Sequence, residues 1–170
     1  AYLPIELSIE LTQALNALAS QEETTLFALL LGAYGATLAR LANQDTVVIG
    51  SPVAGRNRIE TENLVGFLAN TLALPITINA DCNGLELIAQ AKASVETALI
   101  DQDLPFERLV DAMGVTRSLS QTPVFQALFA YQTESQEALN LDGLSVITEP
   151  VFLPTAKCDL SFYTTLNTQG

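Results

Sequence analysis

The sequence predicts an α/β or α+β domain whose sheet is largely covered by helices. Hydrophobic spacing switches along the chain between a helical period and short apolar or alternating runs, and the two kinds of segment alternate throughout. The composition agrees: 49% of the 170 residues are hydrophobic and 15% charged, enough apolar material for one substantial core and far from the low hydrophobicity of disordered chains.

In order, Tyr2–Ile9 alternates as a strand would, and Leu11, Ala14, Leu15 and Leu18 fall at helical spacing. Thr24 or Thr25 is placed to cap a helix running through Leu26, Leu30, Tyr34 and Leu38 to about Leu41. That helix is apolar on nearly every side, which predicts cover on most faces. Ala42–Asp45 reads as a turn and Thr46–Gly50 as a buried central strand. A loop over Pro52–Asn63 carries Arg56 and Arg58, and Asn70–Ile78 returns as a strand. Leu85, Ile88, Ala91, Val95 and Leu99 form one face of a helix, followed by a break at Asp101–Asp103 and a short helix starting at Pro105. Val124–Tyr131, Leu144–Glu149 and Asp159–Leu166 read as strands, with a polar stretch over Thr133–Asn140 and a polar turn over Asn167–Gly170.

Composition excludes several functions. Seven Lys+Arg against nineteen Asp+Glu give a net charge of −12, which repels phosphate backbones and argues against a nucleic-acid partner. Histidine is absent, so no imidazole acts as base or metal ligand within these residues, and no metal site is expected. Cys82 and Cys158 stand far apart without a CxxC pattern and read as reduced thiols of a cytoplasmic protein. The most apolar stretch, Thr24–Ala39, is shorter than the ~20 residues a bilayer span needs, and the start lacks the basic and apolar regions of a signal peptide. The first residue is Ala1 and the one methionine is Met113, which predicts a piece of a longer polypeptide; removal of a start methionine before a small residue would account for one end alone.

Few residues point to chemistry individually. Ser51 follows a buried strand as a nucleophile would, but Gly50-Ser51-Pro52 is not a G-x-S-x-G elbow, and a structural serine is the simpler reading. Gly50–Asn57 reads as a strand-to-loop turn with a structural arginine, or as backbone N–H groups and Arg56 presented to an anion. Asp101 and Asp103 at a helix entry favour capping over acid–base work. Asn70 sits at the mouth of an apolar strand, where its amide serves either a substrate carbonyl or a backbone bend.

In combination they are specific. Ile49-Gly50-Ser51-Pro52-Val53-Ala54-Gly55-Arg56-Asn57, Val65-Gly66-Phe67-Leu68-Ala69-Asn70-Thr71, Asp101-Gln102-Asp103-Leu104-Pro105-Phe106-Glu107 and Thr122-Pro123-Val124-Phe125-Gln126 occur in that order. The series resembles the later motifs of nonribosomal peptide synthetase condensation domains, written GTPVAGR, IGFFVNT, HQDLPFE and SRNPLFQ. Thr25–Leu31 and Ala156–Leu160 resemble further stretches of such domains, so the likeness covers essentially the whole chain. Ser51 replaces the usual Thr, Leu68-Ala69 the usual Phe-Val, and Asp101 the usual His. The HHxxxDG motif that carries the family's active-site histidine has no counterpart.

The resemblance implies a chloramphenicol-acetyltransferase-like two-layer sandwich, a mixed sheet covered by helices. It implies one domain over 1–170, most of the carboxy-terminal subdomain, with the amino-terminal half and an extreme carboxy-terminal segment lying elsewhere. The parent is then an acyltransferase forming a peptide bond between carrier-bound thioesters, in secondary metabolite biosynthesis, and these residues alone are inactive. The alternatives are the same scaffold in epimerization or heterocyclization, or a non-catalytic module that recruits partners. The implied partners are the amino-terminal subdomain, donor and acceptor peptidyl carrier proteins and an adjacent adenylation domain, with neither nucleic acid nor membrane. No cofactor binds directly; phosphopantetheine arms of the carrier proteins bring the substrates. Asn70, Ser51, Gly55, Arg56 and Gly66 are expected along the substrate channel, and Asp103, Pro105, Phe106, Glu107, Pro123, Phe125 and Gln126 as scaffold. No residue of the chain is assigned as a catalytic acid or base.

Overall fold

In the computed structural model, residues 2–79, 81–115, 118, 121–133, 143, 144, 146, 147 and 155–166 are described. Among the described residues five helices and four strands follow in the order α1 (Ile9–Gln21), α2 (Leu26–Ala42), β1 (Thr46–Val53), α3 (Ile59–Glu62), β2 (Asn70–Thr77), α4 (Gly84–Ile100), α5 (Phe106–Met113), β3 (Ala127–Thr133) and β4 (Leu160–Leu166). The sheet order is β2-β1-β3-β4. β1 runs antiparallel to β2 and parallel to β3, and β3 runs parallel to β4, giving the mixed sheet expected.

Local chemistry sets the helix ends. Ser8 accepts the Leu11 N–H at 3.2 Å, and Thr25 accepts the Ala28 N–H at 3.1 Å. Asn83 and Glu86 close a reciprocal capping box at the start of α4. Asn43 takes a left-handed conformation (φ 51°) to end α2, as an Asn readily does. The cap at Ser8 also corrects the strand expected over Tyr2–Ile9: residues 2–8 run to the start of α1 without strand pairing, and Tyr2, Leu3 and Ile5 are exposed.

The core lies between one face of the sheet and the α2/α4 layer. Alternation places Val47 and Ile49 of β1 and Leu72, Leu74 and Ile76 of β2 on that face, where they meet Leu31, Ala39 and Ala91. Phe129 is fully buried; its ring centroid stands 5.4 Å from Phe27 and 5.9 Å from Phe162. α2 is covered on most sides, although Leu41 at its end is 80% exposed. Among the described residues no single helix is long and apolar enough to cross a membrane.

Other boundaries shift. β3 starts at Ala127 rather than Val124, because Val124 takes a φ of +72° and Phe125 N–H turns back to the Pro123 carbonyl at 2.9 Å. α5 begins at Phe106 with Pro105 as its N-cap residue. Of the strand expected over Leu144–Glu149, the described residues Leu144, Val146 and Ile147 take no strand conformation, and its other residues, the 134–140 part of the polar stretch and the final turn lie outside the described residues. Cys82 and Cys158 are free thiols, the second buried.

Candidate functional site

The motif residues gather where β1 ends and β2 begins, because the antiparallel register sets Val53 opposite Asn70. Beyond Val53 the chain turns at Gly55, whose φ is +64°. A Cβ built there would stand 1.9 Å from the Leu68 carbonyl oxygen. Only glycine fits, on both grounds.

Arg56 follows, and its guanidinium donates to the carbonyls of Thr61 (2.7 Å), Leu64 (2.7 Å) and Gly66 (3.3 Å). One planar fork with several N–H donors thus shapes the whole loop leading into β2. Of the two readings open for Arg56, these bonds correspond to the structural arginine. Gly66 contributes its carbonyl; its α-carbon faces open space. The loop bears Val65 and Phe67 almost fully exposed.

Asn70 joins this end of the sheet to the segment after α4. Its Nδ2 donates to the carbonyls of Gln102 (2.8 Å) and Leu104 (2.7 Å), and its Oδ1 accepts the Phe106 N–H at 3.1 Å. Both amide protons are therefore engaged. Of the two readings open for Asn70, these bonds correspond to the backbone bend. The third bond satisfies an N–H in the first turn of α5, whose own N-cap residue Pro105 makes no side-chain bond.

Asp103 does not cap α5, contrary to the expectation for this acidic pair. Its carboxylate accepts the Asn57 side-chain amide at 2.9 Å and pairs with Arg58 at 3.4 Å. Both partners are exposed, so the pair fixes register rather than adding much stability. Asp101 sits at the C-terminal end of α4. Glu107 is exposed in the first turn of α5, where a carboxylate complements the helix dipole.

Phe106 and Phe125 pack at 5.3 Å between ring centroids. Phe125 is 4% exposed and lies against Gly50, where a Cβ would come within 2.2 Å of its ring. A glycine inside a strand is thereby explained by a close approach. Beyond Pro123, whose carbonyl closes the tight turn, Gln126 extends the web: its side chain donates to the Thr122 carbonyl at 3.0 Å, and its own carbonyl accepts from the N–H groups of Asp159 (3.0 Å) and Leu160 (3.3 Å). Each motif grips another motif.

Ser51 differs from the rest. It is 3% exposed and borders a cavity of about 420 Å³ between the helix layer and the sheet, with Val53, Leu72, Val95 and Leu99. Sequence reading did not reach this cavity, nor Asn57 as a partner of Asp103, nor the Leu68 carbonyl beneath Gly55. Gly50 within an apolar strand was the visible signal for the Phe125 contact; nothing local marked the others.

A mixed sheet carrying helices on one face, with four interlocked motif segments at its end, defines a fold of the chloramphenicol-acetyltransferase-like class. The condensation-domain family model matches residues 3–168, and the chain belongs to that family. It is 41% identical over 154 residues to the beauvericin nonribosomal cyclodepsipeptide synthetase of Beauveria bassiana, covering 88% of this chain and 5% of that protein. Against malpibaldin synthetase of Mortierella alpina it is 39% identical over 160 residues, 94% of this chain and 3% of the relative. Among solved structures, a four-domain nonribosomal peptide synthetase bound to AMP and glycine matches with a TM-score of 0.72 at 31% identity, covering 75% of this chain and 10% of that one. The X-domain from teicoplanin biosynthesis matches with a TM-score of 0.81 at 25% identity, over 89% and 34%. The chain thus spans a small fraction of the synthetases it matches and about a third of the X-domain chain.

Proposed function

We propose that this chain is most of the carboxy-terminal lobe of a condensation domain that forms a peptide bond between thioesters carried on phosphopantetheine arms. The observation that carries the reading is the interlocked cluster of Gly50, Gly55, Arg56, Asn70, Asp103, Phe106 and Phe125, the motif residues of the family, at one end of the sheet.

In the reaction the acceptor amine nitrogen attacks the donor thioester carbonyl. The C–S bond breaks, the thiol leaves with a proton that the amine gives up, and an amide remains. With no histidine in the chain, and with Asp103 and Glu107 exposed at the surface, this lobe acts by position. Arg56 and Asn70 hold the loops that flank the reactants, and holding two tethered groups together raises their effective concentration by orders of magnitude. The proton-handling imidazole comes from the other lobe, and polar groups near the reacting carbonyl stabilise its oxyanion. The partners are then that lobe, donor and acceptor carrier proteins and an adjacent adenylation domain, in the cytoplasm.

A second reading, a platform that recruits a partner enzyme, draws on one observation: the X-domain is also found in a complex with OxyB, and this chain matches it there with a TM-score of 0.79. One experiment separates the two. The complete domain, given aminoacyl donor and acceptor carrier proteins, should yield dipeptidyl acceptor carrier by mass spectrometry, and these 170 residues alone should yield none. Product from the isolated lobe would overturn the assignment of the base to another lobe. A complete domain with intact loaded carriers and no product would favour the platform.

A further inference from the structure

The cavity beside Ser51 has the features of a site for a small ligand. Its volume of about 420 Å³ lies within the 300–1,000 Å³ range typical of ligand pockets and far above the gaps of ordinary packing. Phe27, Leu72, Val95 and Leu99 supply apolar walls, and among the described residues no charged side chain lines it. Three hydroxyl-bearing side chains, Thr25, Ser51 and Tyr131, stand among them. Ser51 is 3% exposed, and Thr25 accepts the Ala28 N–H at 3.1 Å, which leaves its own proton free to donate.

Position connects this cavity with the motif cluster. Val53 in its wall pairs with Asn70. Leu72 lies two residues further along β2 and so on the same face. Leu99 closes α4 just before the segment that Asn70 holds. The cavity therefore adjoins the end of the sheet that carries the motif cluster.

We propose that the cavity receives the apolar side chain of one of the two carrier-bound aminoacyl groups and so sets which residue the domain accepts. This rests on the condensation reading. The volume admits a side chain as large as phenylalanine with room to spare, a larger apolar side chain reaches more of the wall than alanine does, and a carboxylate would enter without a charged partner among the described residues.

The test uses the complete domain with carrier proteins bearing alanine, leucine, phenylalanine or aspartate. Each is presented first as acceptor with a fixed donor, then as donor with a fixed acceptor. On one arm, kcat/KM for leucine or phenylalanine is expected to exceed that for alanine by about tenfold or more, the scale on which pocket contacts discriminate, with aspartate lowest. The arm that discriminates identifies which aminoacyl group enters. Val95→Phe, which narrows the cavity, should cut the leucine-to-alanine ratio about tenfold. Leu99→Ala, at the rim and 40% exposed in the parent, should raise the phenylalanine-to-leucine ratio, and it carries the test where the larger side chain prevents folding. Unchanged ratios for Leu99→Ala on both arms, or aspartate used as well as leucine, would overturn the proposal while leaving the condensation reading intact; another segment of the polypeptide would then fill the cavity. No product from the parent domain with any pair would overturn the condensation reading itself, and this proposal with it.

Discussion

Replacing Asn70 by alanine removes three hydrogen bonds at once, those to the Gln102 and Leu104 carbonyls and from the Phe106 N–H. Each such bond contributes a net ~0.5–1.5 kcal/mol. The site is half-buried, so water replaces part of what is lost, and the expected destabilisation is about 2–3 kcal/mol. Asn70→Asp sharpens the test. It keeps an acceptor for the Phe106 N–H but turns a carboxylate oxygen toward two carbonyls, so at neutral pH it should be at least as unstable as Asn70→Ala. Urea unfolding followed by circular dichroism reads the stability, with an unchanged slope marking a genuine loss of stability. Hydrogen exchange reads the mechanism: the Phe106 amide should lose protection in Asn70→Ala and retain it in Asn70→Asp. An Asn70→Ala variant with full stability and a protected Phe106 amide, yet deficient in condensation, would refute the reasoning and give the amide to the substrate.

Gly50→Ala would set a methyl 2.2 Å from the Phe125 ring and should cost about 1–3 kcal/mol by overpacking; adding Phe125→Leu should recover part of it, and simple additivity in a double-mutant cycle would count against the contact. Arg56→Lys loses the fork that reaches three carbonyls, so limited proteolysis within 59–67 should accelerate while the global unfolding midpoint shifts little; an unchanged cleavage rate would contradict the role. The Tyr34 hydroxyl is buried and has no hydrogen-bond partner among the described residues, so Tyr34→Phe should stabilise by about 1 kcal/mol near pH 8. Burial, and then the neighbouring Cys158 thiol, push the Tyr34 phenol up to about 12 from its ordinary 10. A raised folded value means stability that is fully present below pH 10 and lost as pH rises toward 12. The advantage of Tyr34→Phe should therefore widen between those limits in urea titrations, and a constant gap would contradict the shift.

What the sequence revealed follows the range of the forces involved. Thr25 as a cap, the apolar α2 and the buried β1 depend on neighbours within a few residues, and the one-dimensional pattern contains them. Residues 2–8 alternate like a strand, but a strand needs a pairing partner, and the cap at Ser8 sets α1 instead. β3 starts late because Phe125 turns back under Gly50, a contact across 75 positions that no local propensity contains. The motif cluster was recognisable as a series of residue types. Its meaning was not, because the partners of Gly55, Arg56, Asn57 and Asn70 are chiefly backbone carbonyls or a single distant carboxylate. Carbonyls carry no sequence signature, since every residue has one. The cavity beside Ser51 was invisible for a related reason: it is a space left between α2, α4 and the sheet, not a pattern of residues.

The claim that this lobe positions reactants without exchanging protons is tested most directly by the pH dependence of single-turnover condensation in the complete domain, for the parent, Asn70→Ala and Asp103→Asn. The rate of Asn70→Ala is expected to fall as its loops loosen, with the midpoints of all three profiles coinciding. A midpoint that moves, or an ionisation that vanishes with Asp103→Asn, would contradict the claim and put a group of this chain into the proton transfer.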